Sequence, residues 1–480
     1  KVKAFGGAGD DTFDASGLDR PVLFIAGSGN DTLIGGSADD VLIGSDTGTA
    51  TLRGNGGNDL LIARGGTTTL IGGSGDDTYR VLGNWGQASI TDTSGANIVD
   101  FSRQTAAVTV DDAEFKALRG SNTLQWAAAT TLDELRGGAG GDIIDLSGNT
   151  ANLLLSITGT NAGWVKGSAS GMTQSSFSSS TAQAMKDAGD NAGRGFRFTG
   201  FENVVGGQGS DVFRVRDGAS LTGSLTGNTD GGRHHNASGD EIANARNTLD
   251  FSEYTRAVQV NEEGNSAFGS AGASNIQVRG FHNIFGGQGG DWLVGDGRNN
   301  LLVGNDGTDT LEGQAAHDLL VADTFVTYTN LLAGQTRPLD SSLKNVADYL
   351  SLQAVGAAEF GVAARNWIWK GQTLENRSLT TAGAQTLKGG SGSDVILGAL
   401  GGDIINIGGS GEGNDTILAD LGRVQIDFLY RSALSATSFG SRGGGNDTIY
   451  LGSGSNLLIA GNGRDKIGRA SCRERVCWIV

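Results

Sequence analysis

Residues 26–80 read AGSGNDTLI, GGSADDVLI, GSDTGTATLR, GNGGNDLLI, ARGGTTTLI and GGSGDDTYR. The spacing is nine residues, except in the third unit, which has ten. A second run starts at Gly286 with GGQGGDWLV, GDGRNNLLV, GNDGTDTLE and GQAAHDLLV. Each unit is a copy of G-G-x-G-x-D-x-U-x, where U is large and apolar. A repeat this short cannot bury its own apolar residue, so copies must stack into a coil. Glycines at the first, second and fourth positions tolerate positive φ, which allows a tight turn and leaves carbonyls open to an ion. The sixth position supplies a carboxylate. The last three residues form a short strand whose middle side chain points inward. Those side chains are Leu33, Leu42, Leu52, Leu61, Leu70 and Tyr79, then Leu293, Leu302, Leu311 and Leu320. Two units make one turn of a flattened coil, so residues eighteen apart stack on one edge. The expected fold is all-β, a parallel β-roll or β-solenoid.

Isolated units recur at Gly6 (GGAGDDTFD), Gly137 (GGAGGDIID), Gly206 (GGQGSDVFR), Gly389 (GGSGSDVIL) and Gly398 (GALGGDIIN). Degenerate copies end in Asp415, Asp447, Asn456 and Asp465. The candidate metal ligands are therefore Asp11, Asp31, Asp40, Asp59, Asp77, Asp142, Asp211, Asp291, Asn300, Asp309, Asp318, Asp394, Asp403, Asp415, Asp447 and Asp465. Carboxylates mixed with carbonyls are hard oxygen donors, which suit Ca²⁺ and not a soft metal. The expectation is several calcium ions. Asp40, Asp59 and Asp77 share one edge, and Asp31, Thr49 and Thr68 share the other, where the threonines are weaker ligands. In the second run Asp291 and Asp309 share an edge, as do Asn300 and Asp318.

These runs resemble the RTX, or haemolysin-type, calcium-binding repeat family. That resemblance implies a calcium-dependent β-roll in a secreted or surface protein.

A larger unit lies above the nonapeptides. NIVDFSRQTAAVTV from Asn97 resembles NTLDFSEYTRAVQV from Asn247, and DIIDLSGNTANLLL from Asp142 is a looser copy. Each alternates apolar and polar residues after the D-F/L-S, as strands do. GFENVVGGQGSD from Gly200 resembles GFHNIFGGQGGD from Gly280. Between 160 and 195 a Ser/Gly-rich stretch reads as an inserted loop. From Leu339 to Lys370 glycines thin out, and Leu343, Val346, Leu350, Ala354 and Ala357 follow helical spacing. A short helical insert is expected there. Trp367 and Trp369 read as a returning strand packed on the roll, or as a sugar- or partner-binding face. The domain reading is a first roll over 1–80, strand units over 81–285 and a second roll over 286–325. An insert over 326–386 and a third roll over 387–466 follow. Such units alternating with nonapeptide blocks are similar to very large bacterial surface or secreted proteins with RTX-like repeats.

The final stretch differs. IGRASCRERV from Ile467 resembles the translation of a sequencing adapter. Basic residues cluster there, glycines stop, and Cys472 and Cys477 appear, the chain's 2 cysteines. Residues 467–480 are expected to lie outside the roll as an artefact; the alternative is a genuine basic tail. The chain reads as an internal fragment of something longer.

The formal net charge is −17, with 82 glycines and 2 prolines in 480 residues. An acidic balance argues against nucleic acid and anionic membrane and for cations. No apolar run approaches a membrane span. No H-E-x-x-H, G-x-S-x-G or Gly-Lys dipeptide is present, so protease, lipase and P-loop readings lack their residues. His234 and His235 are expected in a solvated loop, and His282 and His317 on the surface. No enzyme is expected. The leading reading is an extracellular calcium-binding structural or adhesive segment that folds on Ca²⁺, with cell-surface or matrix ligands as partners. One alternative is an accessory tail of a secreted enzyme or pore-forming toxin. Another is a solenoid that has lost calcium at many turns.

Overall fold

The computed structural model describes residues 2–150, 153–168, 172–173, 194–209, 211–227, 234–235, 241–242, 247–262, 264, 266–269, 276–298, 300–322, 325–329, 370–376, 384–407, 413–420, 422–427, 432–438, 444–452, 454, 456–469 and 478–479. They form strands, turns and bends, and no helix occurs among them. The chain divides into two compact units, one of residues 1–211 and 219–229, the other of 212–218 and 230–480.

In the first unit, one sheet is a parallel succession of Val22–Ser28, Val41–Ile43, Leu60–Ala63, Thr78–Val81, Ile98–Asp100, Glu134–Arg136 and Arg194–Thr199. Its register aligns Phe24, Leu42, Leu61, Tyr79, Val99, Leu135 and Phe198 in one buried row. A second sheet runs through Asp31–Ile34, Thr49–Gly56, Thr67–Ser74, Gln87–Thr91 and Asn122–Trp126. Its row is Leu33, Leu52, Leu70, Ile90 and Trp126, also buried. The sheets meet where Phe13 packs on Phe24, ring centroids 5.2 Å apart. An antiparallel hairpin, Lys116–Arg119 with Asn122–Trp126, interrupts the second sheet. Parallel pairing then resumes from Thr109–Asp111 through Ile143–Asp145 and Asn203–Val205 to Ser224–Thr226.

The second unit repeats the design. One row is Phe213, Leu249, Ile284, Leu302, Leu320, Ile396, Ile417 and Leu458. The other is Val260, Leu293, Leu311, Leu387, Ile405 and Ile449. All are buried. Every inward residue read from the nonapeptide period lies in such a row, and each such side chain contributes roughly 1.5–3 kcal/mol by burial. Parallel ladders fit these strands because turn follows turn at a fixed offset and the two sheets cover one another's inner face.

Several expectations change. Within the Ser/Gly-rich stretch, Ala162–Ser168 is a strand, antiparallel to both Leu154–Gly159 and Arg194–Thr199; residues 174–193 lie outside the described residues. The helical insert falls on residues 330–369, also outside them, as do Trp367 and Trp369. What is described at its margins is strand: Phe325–Thr329 pairs antiparallel with Lys370–Asn376. Thr310 pairs with Thr386 and Val321 with Leu397, so the coil continues in register past the insert. His234–His235 pairs with Glu241–Ile242 instead of forming a loop. His282 and His317 are half-buried, not exposed. The tail is not wholly outside the roll. Lys466–Arg469 pairs in parallel with Thr448–Leu451, and Trp478–Ile479 with Leu457–Ile459; Ile467 is in register with Ile449 but exposed.

Candidate metal sites

Sixth-position side chains of successive turns lie close together because the turns are in register. Each carboxylate accepts the backbone N–H of the sixth position one turn before it. Asp40 donates to Asp59 Oδ1 at 2.7 Å, Asp59 to Asp77 Oδ1 at 2.7 Å, and Asp77 to Asn97 Oδ1 at 2.8 Å. On the opposite edge Asp11 donates to Asp31 Oδ1 at 2.9 Å. In the second unit one ladder runs from Asp291 to Asp309 at 2.8 Å, then through Gln385 to Asp403, Asp447 and Asp465. The other runs from Asn300 to Asp318 at 2.8 Å, Asp394 at 2.9 Å, Asp415 at 3.0 Å and Asn456 at 2.8 Å. Asp142 and Asp211 accept from Val108 and Leu153 in the same manner.

One oxygen per carboxylate is thus used. The second oxygen, Oδ2, of the buried Asp59, Asp77, Asp318, Asp394 and Asp447 has no hydrogen-bond partner. A buried oxygen left unpaired is costly, so a missing partner is implied. Its place is marked by the first glycine of the turn. A Cβ on Gly54 would lie 2.1 Å from Asp59 Oδ2 and 2.7 Å from the carbonyl oxygen of Gly72. On Gly313 it would lie 2.3 Å from Asp318 Oδ2 and 2.6 Å from the carbonyl oxygen of Gly389. The glycine keeps open a cradle lined by a carboxylate oxygen and a carbonyl, the hard donors Ca²⁺ takes. The residues present therefore fit calcium. Bound there, it supplies the positive charge the stacked carboxylates lack. Among the described residues no group of three or more His, Cys, Asp or Glu side chains converges as a metal site, so the donors include backbone.

Electrostatics agree. Burial pushes the carboxyls of Asp59, Asp77, Asp291, Asp415 and Asp447 up to about 7, Asp394 to about 6 and Asp318 to about 9. Neighbouring carboxylates add to the rise at Asp59, Asp77 and Asp318. Stacked like charges in a dry setting favour the protonated form unless a cation is present.

The ten-residue unit shifts one assignment. Asp31 pairs with Ala50, Ala50 with Thr68, and Thr68 with Ala88. Ala50, not Thr49, occupies the carboxylate position, and the exposed Thr49 stands at the fifth position, its N–H donating to Asn30 Oδ1 at 3.2 Å. Ser45 Oγ donates to Asp31 Oδ2 at 2.5 Å, so that aspartate is occupied by a hydroxyl. The ladder also contains members the aspartate pattern missed: Asn97, Gln385 and Glu202, whose Oε2 accepts the N–H of Asp142 at 2.8 Å. Each stands two residues before a buried apolar side chain, a signal a search for Asp alone passes over. Position five carries a second, outer ladder. Asn58 donates its N–H to Asp39 Oδ1 at 2.7 Å, and Asp76 to Asn58 Oδ1 at 2.8 Å.

A family model for the RTX calcium-binding nonapeptide repeat (4 copies) matches residues 3–17, 23–46, 45–79, 285–320, 379–409 and 443–467. No curated protein matches the chain. These stretches hold most of the sixth positions that form the ladders, and over them the chain carries RTX calcium-binding nonapeptide repeats.

Proposed function

We propose that this chain is a non-enzymatic, extracellular structural or adhesive segment whose roll is completed by calcium. The observation that carries the reading is the orphaned Oδ2 repeated along both runs. A metal needed at many turns, each supported by the next, makes a material rather than a single reactive centre. Ligands brought together only by the fold couple binding to folding. Extracellular modules bind calcium with Kd on the order of 10⁻⁴–10⁻³ M. Such a roll stays unfilled at cytosolic calcium and fills outside the cell. The carboxylates are committed to the backbone ladder, which leaves them poor candidates for acid–base work. Surface ligands of a cell or matrix are the partners this reading assigns.

The test is labelling of intact source cells with an antibody to the chain, with and without calcium chelation. Staining of unpermeabilised cells that chelation reduces supports the proposal. Signal confined to permeabilised cells overturns the extracellular role.

A further inference from the structure

The nonapeptide turns are of two kinds, and the difference lies in the second residue. In one kind it is left-handed: φ is 74° at Asn55, 124° at Gly73, 82° at Gln314 and 102° at Gly390. These precede Asp59, Asp77, Asp318 and Asp394, whose Oδ2 atoms are orphaned. In the other kind, which also includes the turn of Ala399 and Asp403, the second residue is Gly36, Gly138, Gly207 or Gly287, and none has a left-handed φ. Its N–H then points at the turn's own aspartate. Gly36 donates to Asp40 Oδ2 at 2.6 Å, Gly138 to Asp142 at 2.6 Å, Gly207 to Asp211 at 2.6 Å and Gly287 to Asp291 at 2.5 Å.

Each of these four closed turns is held by a loop beginning D-x-S. Asp14, Asp100, Asp145 and Asp250 each accept the N–H of a serine two residues on, at 2.8–2.9 Å. Four residues after each Asp, a carbonyl accepts the third-position N–H of a closed turn: Leu18 from Ser37, Gln104 from Ala139, Asn149 from Gln208 and Tyr254 from Gln288. Eight residues after each, an N–H reaches the closed aspartate's Oδ1, from Val22, Val108, Leu153 and Val258, at 2.7–2.9 Å. One loop thus pins the turn and fills one carboxylate oxygen, and the turn it pins fills the other. Side chains close the same space further. Asn55 Nδ2 donates to the Gly35 carbonyl at 2.8 Å, and Asn305 Nδ2 to the Gly286 carbonyl at 2.7 Å. These glycines open the turns of Asp40 and Asp291. Asn300, a neutral residue, also sits in a closed turn, accepting the N–H of Asp296 at 2.9 Å.

We infer that the D-x-S loop is a built-in replacement for calcium. Asp40, Asp142, Asp211 and Asp291 are metal-free caps, and calcium is confined to left-handed turns such as those of Asp59, Asp77, Asp318 and Asp394. The roll thereby acquires fixed points that hold without the ion, next to segments that depend on it. This rests on the calcium reading of the repeats and divides it among them.

Isothermal titration with Ca²⁺ alone on the full chain tests the division, using Asp59→Asn and Asp318→Asn against Asp40→Asn and Asp142→Asn. Circular dichroism in saturating calcium checks that each variant is folded. The open-turn variants should each bind about one ion fewer, and the closed-turn variants should bind as many as the parent. Equal losses in both classes overturn the inference. Asn300→Asp tests it without removing a ligand: the count should stay unchanged, and a gained ion overturns the closed-turn rule. A parent chain that binds no calcium defeats the calcium reading itself and the inference with it, an outcome distinct from equal losses.

Discussion

The backbone N–H of Asp40 donates to Oδ1 of Asp59 at 2.7 Å, while the other oxygen of Asp59 faces the Gly72 carbonyl across the Gly54 backbone. One side chain therefore ties two successive turns together and offers a metal ligand. Asp59→Ala removes both roles. It leaves the Asp40 N–H without its acceptor, at a cost of about 1–3 kcal/mol, and weakens calcium binding at that turn. Thr68→Ala should cost much less, because the Thr68 hydroxyl makes only a long 3.4 Å contact to the Gly65 carbonyl. Denaturant titrations in calcium and in chelator compare the two, and equal losses would show the ladder to be unimportant.

Chelation should unfold the open turns first. Stacked carboxylates, Asp59 beside Asp77 in one unit and Asp318 beside Asp394 in the other, are buried, and without a cation their repulsion opposes the apolar rows. The β signal in circular dichroism should fall when a chelator is added and return with excess Ca²⁺. An unchanged spectrum would count against metal-coupled folding.

Much of this is legible in the amino-acid sequence. The nine-residue period placed Leu42, Leu61 and Tyr79 in one row and Leu33, Leu52 and Leu70 in another, because a fixed offset per turn leaves no freedom of register. The ten-residue unit defeated the same counting. Thr49 stands six residues into it, but the extra residue is absorbed before the strand, and Ala50 takes the ladder position. Metal sites were legible as a class and not individually. Asp40 and Asp59 are alike in sequence, and what separates them is a loop beginning at Asp14, which reads D-A-S rather than D-F-S. The half-burial of His317 was invisible because its Nδ1 accepts from Ser393, 76 residues away.

Acid should stabilise the metal-free roll. Asp59, Asp77, Asp415 and Asp447 have folded values near about 7 against an ordinary 3.8. Between those limits the folded chain holds more protons than the unfolded one. The contribution is complete below the unfolded value and is lost as pH rises through the folded value. In chelator the melting temperature should be higher at about pH 5 than at about pH 8. With calcium the order reverses, since the ion displaces those protons and its affinity rises with pH. Melting curves at both pH values, in chelator and in calcium, decide the matter. A metal-free roll more stable at the higher pH would contradict the buried-carboxylate account.

The cradle itself can be filled. A methyl group on Gly54 would meet Asp59 Oδ2 at 2.1 Å and the Gly72 carbonyl oxygen at 2.7 Å, both shorter than any real Cβ contact. Gly54→Ala should therefore displace the ligand oxygens, abolish calcium at that turn and destabilise the chain by about 1–3 kcal/mol through overpacking. Gly297 is the control, because a Cβ there meets nothing within 4 Å and its φ is not left-handed. Gly297→Ala should leave calcium stoichiometry and melting temperature unchanged. The comparison separates a space reserved for an ion from a general requirement for glycine. If both variants lose calcium alike, glycine serves the turn's conformation and the cradle carries no special role.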